Sequence, residues 1–356
     1  MNEDSLVPVL DVTNFSVDYG YGDDAVRAVS DVSFSLGRSQ VLGVAGESGS
    51  GKSTLVYGLT RLLRAPGVIT SGEVTLHLAG ERNGEAFNVL TASEDELRQV
   101  RWSQVSIVMQ SALNALNPLR RVGKEFDEVL RRNDRTSSKT ARQERAIELL
   151  ALVGLAADRL QRFPHELSGG QRQRVMIAMA LALRPELVIM DEPTTALDVV
   201  TQREIVSELY ELRQKLGFAM IFITHDLSLL VELADEIMVM YAGEIVERAP
   251  AVELHGAPRH PYTLGLMNSF PPLQGDRVRM TGIPGSPPNL KSPPGGCAFH
   301  PRCPSAHDRC RTQAPPLVAI EDGHRSVACW LHDSSSTEVV PVSLSRRAAS
   351  RIGQGA

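Results

Sequence analysis

The stretch Gly46-Glu-Ser-Gly-Ser-Gly-Lys52-Ser53 decides how this chain is interpreted. It fits the pattern G-x-x-x-x-G-K-[ST] and follows a short apolar run, Val41–Ala45, that is typical of a buried strand. Glycines let backbone N–H groups turn inward around phosphates, and the helix predicted next adds its positive N-terminal end. The sequence therefore predicts a phosphate-binding loop, in which Lys52 neutralises phosphate charge and the Ser53 hydroxyl binds magnesium. The alternative is a glycine-rich turn with a chance lysine, and the preceding strand favours the loop.

A second apolar run, Leu187–Met190, ends in the carboxylates Asp191 and Glu192. Asp191 suits water-mediated magnesium binding, and Glu192 suits polarisation of an attacking water. Alone, such a strand end is equally typical of a surface turn. Together with the phosphate loop it predicts a hydrolysis site.

The chain alternates between predicted strands and predicted helices. This order indicates an α/β fold with a mostly parallel sheet covered by helices. The earliest strands differ, because they are short and alternating and favour an antiparallel layer. The later strands include Ala219–Thr224; the helices include Lys139–Val153 and Thr201–Leu216, the latter ending at Gly217; the early strands are Leu10–Tyr19, Val26–Leu36 and Gly72–Leu78.

Composition excludes several classes of protein. With 37 basic and 42 acidic residues the net charge is −5, which disfavours a surface built to neutralise nucleic acid. Hydrophobic content of 42% and charged content of 22% are those of an ordinary globular chain. The start, MNEDSLVPVLDV, does not resemble a secretory signal, and the longest uncharged apolar run, Val175–Leu183, is too short to cross a bilayer. We expect a soluble intracellular chain that would need partners to act at a membrane.

The C-terminal part has a different composition. Of 21 prolines, 15 lie at or beyond Pro250, and all four cysteines lie in the same region. Residues from about 333 to 356 are rich in Ser and Ala and are expected to form a flexible tail. The chain is therefore predicted to carry a main domain and an appended segment.

The stretch Leu167-Ser168-Gly169-Gly170-Gln171 precedes a predicted helix, Arg172–Leu183, with Ser168 placed as its N-cap. Taken with the phosphate loop, Met190–Glu192, Ala196-Leu197-Asp198 and His225, this ordered set resembles the ATP-binding subunit of an ABC transporter. The resemblance covers roughly Leu6 to Val246. It implies a P-loop ABC ATPase core with a parallel sheet, an antiparallel β subdomain and a helical signature subdomain.

The resemblance also implies roles for individual residues. Two nucleotide domains would face head to tail, so that ATP on the loop of one is completed by Ser168–Gln171 of the other. Catalytic roles fall to Glu192, to Gln110 after the strand Val105–Met109, and to the switch histidine His225. Magnesium would be bound by Ser53, Gln110 and Asp191. The implied ATP-binding residues are Tyr19, Gly46, Glu47, Ser48, Gly49, Ser50, Gly51, Lys52, Ser53, Thr54, Ser168, Gly169, Gly170, Gln171 and Asp198.

Some assignments have alternatives. Tyr19 matches the aromatic residue that stacks on adenine, and Tyr21 is the competing candidate. Without their neighbours, Gln110 is a loop glutamine and His225 a polar residue after a strand.

Beyond Val246 the sequence resembles the C-terminal extension of oligopeptide/dipeptide importer ATPases, up to about Trp330. The expected domains are residues 1–249, with the helical subdomain at about 111–183, then a small Pro/Cys-rich domain at 250–332 and the tail at 333–356. The stretches that carry this resemblance are Ala115-Leu116-Asn117-Pro118, His260-Pro261-Tyr262-Thr263, Ile283–Leu290, Gly296-Cys297 and Pro301-Arg302-Cys303-Pro304.

The four cysteines have the spacing C-x5-C-x6-C-x18-C: Cys297, Cys303, Cys310 and Cys329. Disulfides are disfavoured in a cytosolic chain, so the thiolates suit tetrahedral zinc or an iron–sulfur cluster, with reduced free thiols as a third possibility. The nearby His300, His307 and His324 leave mixed ligation open. The family resemblance favours a [4Fe-4S] cluster on all four cysteines.

We therefore expect an ATPase that energises uptake of dipeptides or oligopeptides, working peripherally at the cytoplasmic face of the cell membrane. The expected partners are two integral membrane permease subunits, a second ABC ATPase subunit, either a copy or a related chain, and an extracytoplasmic substrate-binding protein. Nucleic acid is not expected as a partner. Alternatives are an ATPase for a nickel or other small-solute importer and a soluble ABC ATPase of DNA repair or ribosomes.

Overall fold

A computed structural model describes residues 7–78, 86–110, 116–133, 136–195, 197–269 and 282–333. Ala115, Ala196 and nearly all of the expected tail, residues 334–356, lie outside the described residues. The chain forms two compact units. Among the described residues, the first consists of those up to Asp11 with Ser35–Val41 and those within Val74–Ile223, and the second of Val12–Phe34, Leu42–Glu73 and those from Thr224 onward.

The first unit contains three neighbouring parallel strands, β6 (Val105–Val108), β7 (Leu187–Asp191) and β8 (Ala219–Ile223). Val108 pairs with Met190, and Asp191 pairs with Ile223. Every residue of β7 and β8 is buried, as their apolar sequences predict. Because the strands are parallel, their carboxyl ends meet at one edge, and residues that follow them are brought together there.

The helices of this unit are α2 (Glu94–Val100), α3 (Val122–Asn133), α4 (Lys139–Leu152), α5 (Gly169–Ala180) and α6 (Val199–Leu216). The predictions of α4 and α6 are confirmed to within two residues at either end, and Gly217 ends α6 in the left-handed region at φ +75°. Helix α5 begins at Gly169, earlier than predicted, because Ser168 and Gln171 form a reciprocal capping box. A short strand, β5 (Ala86–Asn88), pairs antiparallel with the end of β4 (Gly67–His77).

The second unit contains most of β1 (Leu10–Tyr19) and β2 (Val26–Leu36), whose predicted bounds are confirmed. Strand β3 (Val41–Ala45) pairs parallel with β9 (Glu236–Tyr241), which pairs antiparallel with β10 (Glu244–Pro250). Helix α1 (Lys52–Leu59) follows the phosphate loop, and α7 (Leu227–Leu233) follows His225. The apolar residues of β3 and β9 are buried.

The region after β10 contains short elements that sequence patterns did not predict. They are α8 (Ala251–Gly256), α9 (Pro261–Asn268), α10 (Asp308–Thr312), β11 (Val318–Ile320) and β12 (Arg325–Val327). Strand β12 pairs antiparallel with β10, with Val327 opposite Glu247. This region therefore shares a unit with the phosphate loop.

Across the described ranges, no helix has the length and apolar character needed to cross a bilayer.

Candidate functional site

The phosphate loop connects β3 to α1 in the second unit. Gly46 and Gly51 have φ values of +149° and +101°. A Cβ on Gly46 would lie 2.3 Å from the carbonyl oxygen of Met240, and one on Gly51 would lie 2.5 Å from that of Ala28. No side chain fits at these approaches, so both positions require glycine. The loop is thus held close to the backbone that surrounds it.

Lys52, the first residue of α1, is buried, and its ammonium group lies over the loop. Its Nζ donates to the carbonyl oxygens of Gly46 and Glu47, at 2.8 Å in each case, and to Ser50 Oγ at 3.3 Å. Ser53 and Thr54 follow in the first turn of the helix, while Ser48 and Gly49 are exposed. Positive charge and a helix N-terminus therefore coincide at one loop, as anion binding requires.

Tyr19 ends β1 in the same unit and reaches the start of α1. Its hydroxyl lies 3.5 Å from Thr54 Oγ1, and its ring lies 3.1 Å from the Cβ position of Gly67. Tyr21, the competing candidate, is 72% exposed. The geometry thus favours Tyr19 as the aromatic residue beside the loop.

Two predicted residues meet at the carboxyl edge of the first unit's strands. Gln110 Nε2 donates to Glu192 Oε2 at 3.0 Å, and Thr195 Oγ1 donates to the same oxygen at 2.9 Å. Glu192 adopts φ +46°, and its backbone N–H donates to the carbonyl of Ile223 at 3.0 Å. Asp191, the last residue of β7, is completely buried. Thr195 is not among the residues predicted from the sequence, although a hydroxyl three residues after the glutamate is a usable signal.

The signature stretch forms the N-terminus of α5 in the first unit. Ser168 Oγ accepts from the N–H of Gln171 at 3.2 Å, and Gln171 Oε1 accepts from the N–H of Ser168 at 3.2 Å. A Cβ on Gly170 would lie 2.8 Å from the methyl group of Thr201. Ser168 itself is exposed. The helix end is thus rigid on one side and open to solvent at the serine.

Asp198 caps α6 beside this helix end, and its carboxylate accepts from the N–H of Thr201 at 3.0 Å. This hydrogen bond lowers the pKa of Asp198 below its ordinary value, so the side chain is ionised at neutral pH. Leu197 packs against Gly169, because a Cβ added to that glycine would lie 3.1 Å from Leu197 Cδ2. The structure therefore brings the signature stretch and the Asp198 loop together.

His225 is exposed and follows β8 by two residues, within the second unit. Its neighbour Asp226 caps α7 by accepting from the N–H of Ser228 at 2.9 Å. The histidine thus lies at the fixed start of a helix.

All four cysteines line one small cavity in the second unit, together with His260, Phe299 and Trp330. None of them forms a disulfide, and each is partly buried. Burial raises the pKa of Cys303 to about 11 and of Cys329 to about 12, and it also raises the pKa of Cys297. Burial therefore favours the neutral thiol form of these three cysteines.

Among the described residues, no group of three or more His, Cys, Asp or Glu side chains converges as the ligands of a metal ion would. A tetrahedral zinc site, with Zn–S bonds of about 2.3 Å, needs its sulfur atoms within about 4 Å of one another. The cysteines share a cavity but are not drawn together in that way. In number and kind, four thiols still match the ligand set of an iron–sulfur cluster.

Two family models match the sequence, one over the nucleotide motifs and one over the C-terminal region. The ABC transporter model matches residues 29–195. The model of the oligopeptide/dipeptide transporter C-terminal region matches residues 246–310. The second match spans the region of α8, α9 and three of the four cysteines.

Similar proteins match nearly the whole chain. The dipeptide transport ATP-binding protein DppD of Escherichia coli (strain K12) is 42% identical over 320 residues, covering 89% of this chain and 95% of the relative. The oligopeptide transport ATP-binding protein OppD of Salmonella typhimurium is 43% identical over 324 residues, covering 90% and 93%.

A solved structure shares the fold of the core. A dimeric ATP-binding cassette in a post-hydrolysis state, bound to ADP and Pi, matches with a TM-score of 0.59 and 28% identity, covering 68% of this chain and 98% of the other. The expected ABC ATPase fold is thereby confirmed. The chain belongs to the ABC transporter family of ATP-binding proteins, in the group that carries the oligopeptide/dipeptide transporter C-terminal region.

Proposed function

We propose that this protein is the ATP-hydrolysing subunit of a membrane ABC importer that energises uptake of dipeptides or oligopeptides. The observation that carries the proposal is the similarity of nearly the whole chain to dipeptide and oligopeptide transport ATP-binding proteins. It extends into the C-terminal region, where residues 246–310 match the model of the oligopeptide/dipeptide transporter C-terminal region. The complete set of nucleotide motifs supports hydrolysis by this chain itself.

In this proposal Gly46–Thr54 hold the phosphates of ATP, and Tyr19 stacks on the adenine. Ser53, Gln110 and Asp191 provide the oxygen ligands that Mg²⁺ prefers, and the ion, when bound, neutralises charge on the phosphates. The buried ammonium of Lys52 and the N-terminus of α1 fit an anionic ligand.

Glu192 acts as the base that orients water. Gln110 and Thr195 both donate to one of its oxygens, which holds the carboxylate in a set orientation for accepting the proton of water. His225 completes the catalytic set. Phosphoryl transfer leaves little covalent work for the protein, so positioning of this kind supplies much of the rate.

A second ATPase subunit, identical or related, is the expected partner at Ser168–Gln171, where Ser168 is exposed, and at the exposed Asp198. The open N-terminus of α5 offers backbone N–H groups to phosphate held by that subunit. The importer also needs two integral membrane permeases and an extracytoplasmic binding protein. The protein would then lie peripherally at the cytoplasmic face of the cell membrane.

Co-purification and transport in proteoliposomes test this function. The protein is isolated with its membrane subunits, reconstituted, and supplied with the binding protein carrying a dipeptide or oligopeptide. We expect ATP hydrolysis to rise with peptide, and Lys52→Ala to abolish both ATP binding and uptake. Stimulation by nickel or another small solute alone would overturn the peptide assignment. Recovery with ribosomes or nucleic acid, and with no membrane subunit, would overturn transport altogether.

We also propose that Cys297, Cys303, Cys310 and Cys329 bind a [4Fe-4S] cluster that pins the C-terminal region. Their shared cavity and lack of disulfides support this. Thiols whose pKa is raised by burial need a strongly positive group to become thiolates. The test is anaerobic purification followed by iron, sulfide and zinc analysis, with Cys303→Ser as the variant that loses iron. Stoichiometric zinc without iron contradicts the cluster.

A further inference from the structure

Side chains from the C-terminal region bind Glu47, the second residue of the phosphate loop. Arg302 binds its carboxylate with both ends of the guanidinium, Nη1 to Oε2 at 2.6 Å and Nη2 to Oε1 at 2.9 Å. Tyr262 accepts the backbone N–H of Glu47 on its hydroxyl at 2.8 Å. All of these residues lie in the second unit. The loop is thus held at both its side chain and its backbone.

Arg302 is itself fixed by its surroundings. Only 5% of its side chain is exposed, and its Nε donates to the carbonyl of Pro284 at 2.8 Å. Its Nη1 also donates to the hydroxyl oxygen of Tyr241, at a longer 3.4 Å. A guanidinium buried to this extent must stay close to an anionic partner, because moving away would leave its positive charge buried without compensation. Arg302 is therefore held against the carboxylate of Glu47.

Tyr262 is equally constrained, since it is completely buried. Its ring packs against those of Tyr241 and Phe299, with centroids 4.6 and 5.3 Å away. The hydroxyl therefore has a set position relative to the loop. Phe299 also lines the cavity of the four cysteines, so the same aromatic cluster touches both features.

The position of Glu47 affects the position of the Lys52 ammonium group. The carbonyl oxygen of Glu47 accepts a hydrogen bond from the Lys52 ammonium at 2.8 Å. If Glu47 moves, its carbonyl oxygen moves with it. The Lys52 ammonium group, which we propose neutralises phosphate, would then rest in a different position. The contacts run from Arg302 and Tyr262 through Glu47 to Lys52 without a gap.

We propose that Arg302 and Tyr262 are positioning residues for the phosphate loop, through which the C-terminal region sets the affinity of this ATPase for the phosphates of ATP. This rests on the proposed ATP binding at the loop. The two residues belong to the stretches Pro301–Pro304 and His260–Thr263, for which the nucleotide motifs leave no role. The C-terminal region is thereby part of the nucleotide-binding apparatus.

The experiment measures binding of MgATP and of adenosine to the full-length protein, with Arg302→Ala, Arg302→Lys and Tyr262→Phe. We expect Arg302→Ala to weaken MgATP binding about ten-fold, the equivalent of one charged hydrogen bond. Tyr262→Phe should weaken it about three-fold. Adenosine affinity should not change, because adenosine carries no phosphate. Arg302→Lys should restore part of the loss. In steady state, KM for ATP should rise more than kcat falls.

Arg309→Ala is the matched control, because Arg309 also lies in the C-terminal region but pairs with Asp333 and stacks on Trp330. It should leave the affinity for MgATP unchanged. Glu47→Gln combined with Arg302→Ala should weaken MgATP binding little more than either substitution alone, because both remove the same contact.

The inference is overturned if folded Arg302→Ala binds MgATP within two-fold of wild type, or if adenosine binding weakens in parallel. Should Arg302→Ala not fold, Arg302→Lys and Tyr262→Phe decide by the same criteria. If wild type does not bind MgATP, or Lys52→Ala binds it equally well, the proposed function itself fails. The two failures are therefore distinguishable.

Discussion

Glu192 shows how much of the proposed chemistry depends on one side chain. Its backbone lies in the left-handed region at φ +46°, which costs a non-glycine residue conformational energy. The Ile223 carbonyl holds this conformation, and Gln110 and Thr195 hold the carboxylate. The fold thus holds Glu192 in an unfavourable backbone conformation. Such precise placement is what the proposed role of base needs.

We expect Glu192→Gln to retain MgATP binding and to lower kcat by at least about 100-fold, because an amide cannot accept the proton from water. Nucleotide binding and single-turnover hydrolysis are the measurements. Glu186→Gln is the control, since Glu186 stands just before the same strand and pairs with Arg38 at 2.7 Å. Near-normal turnover by Glu192→Gln would remove Glu192 from the role of base.

At the scale of elements, a buried ion pair attaches β12 to β10. Arg325 Nη2 donates to Glu247 Oε1 at 2.9 Å, and the two side chains are 2% and 0% exposed. Glu247 also accepts from the backbone N–H groups of Arg259 and His260, at 2.7 and 2.8 Å. One carboxylate therefore joins two strands and the loop before α9.

Arg325→Ala should lower the free energy of unfolding by about 3–5 kcal/mol, because it leaves the carboxylate of Glu247 buried without its cation. Urea denaturation monitored by circular dichroism measures this. Arg311→Ala, at an exposed position on α10, should stay within about 0.5 kcal/mol of wild type. Equal stability of both variants would show that the pair adds nothing to the attachment.

Helices α3 and α4 are joined by a different kind of pair. Arg142 Nε donates to Asp127 Oδ1 at 2.7 Å, and this hydrogen bond lowers the pKa of Asp127 below its ordinary value. Since the folded-state pKa is the lower one, the stabilisation is present above the unfolded-state pKa and is lost as pH falls through the folded value.

Asp127→Asn should therefore cost about 0.5–1 kcal/mol at pH 7, a modest amount because the aspartate is partly exposed. The difference from wild type should shrink below about pH 4. Denaturation at pH 7 and pH 3 measures it, with Asp95→Asn as the control at an exposed pair on α2. A difference that does not depend on pH would contradict the ionic origin.

At the scale of the whole molecule, the proposed dimer assigns the exposed Ser168 to a nucleotide site shared between two chains. Its helix end is capped and rigid, yet the proposed nucleotide for it belongs to a second subunit. A substitution there should affect hydrolysis without affecting the ATP bound to the same chain's loop.

Ser168→Arg is expected to keep MgATP affinity while lowering hydrolysis at least about ten-fold, because the bulky side chain blocks the partner's phosphate. Binding is measured by nucleotide titration and hydrolysis by phosphate release. Ser138→Arg is the control, because Ser138 also caps a helix, α4, by accepting from the N–H of Ala141 at 3.1 Å. Hydrolysis unchanged in Ser168→Arg, or lost together with ATP binding, would argue against a composite site.

Local patterns determined most of the core and the residues of the nucleotide site. The apolar runs of β3, β7 and β8, the glycines at 46 and 51 and the N-cap Ser168 all act over a few residues, so their effects can be read in order along the chain. Family resemblance then supplied the identities of Gln110, Asp198 and His225.

Only the tertiary structure decided contacts between residues far apart in sequence. Glu47 and Arg302 are 255 residues apart, and no periodicity or spacing connects them. The contact of Gln110 with Glu192, 82 residues apart, and that of Glu247 with Arg325 of β12 likewise depend on how strands pair. The physical reason is that a buried charge takes its partner from whichever segment packs against it, and packing is set by the whole fold.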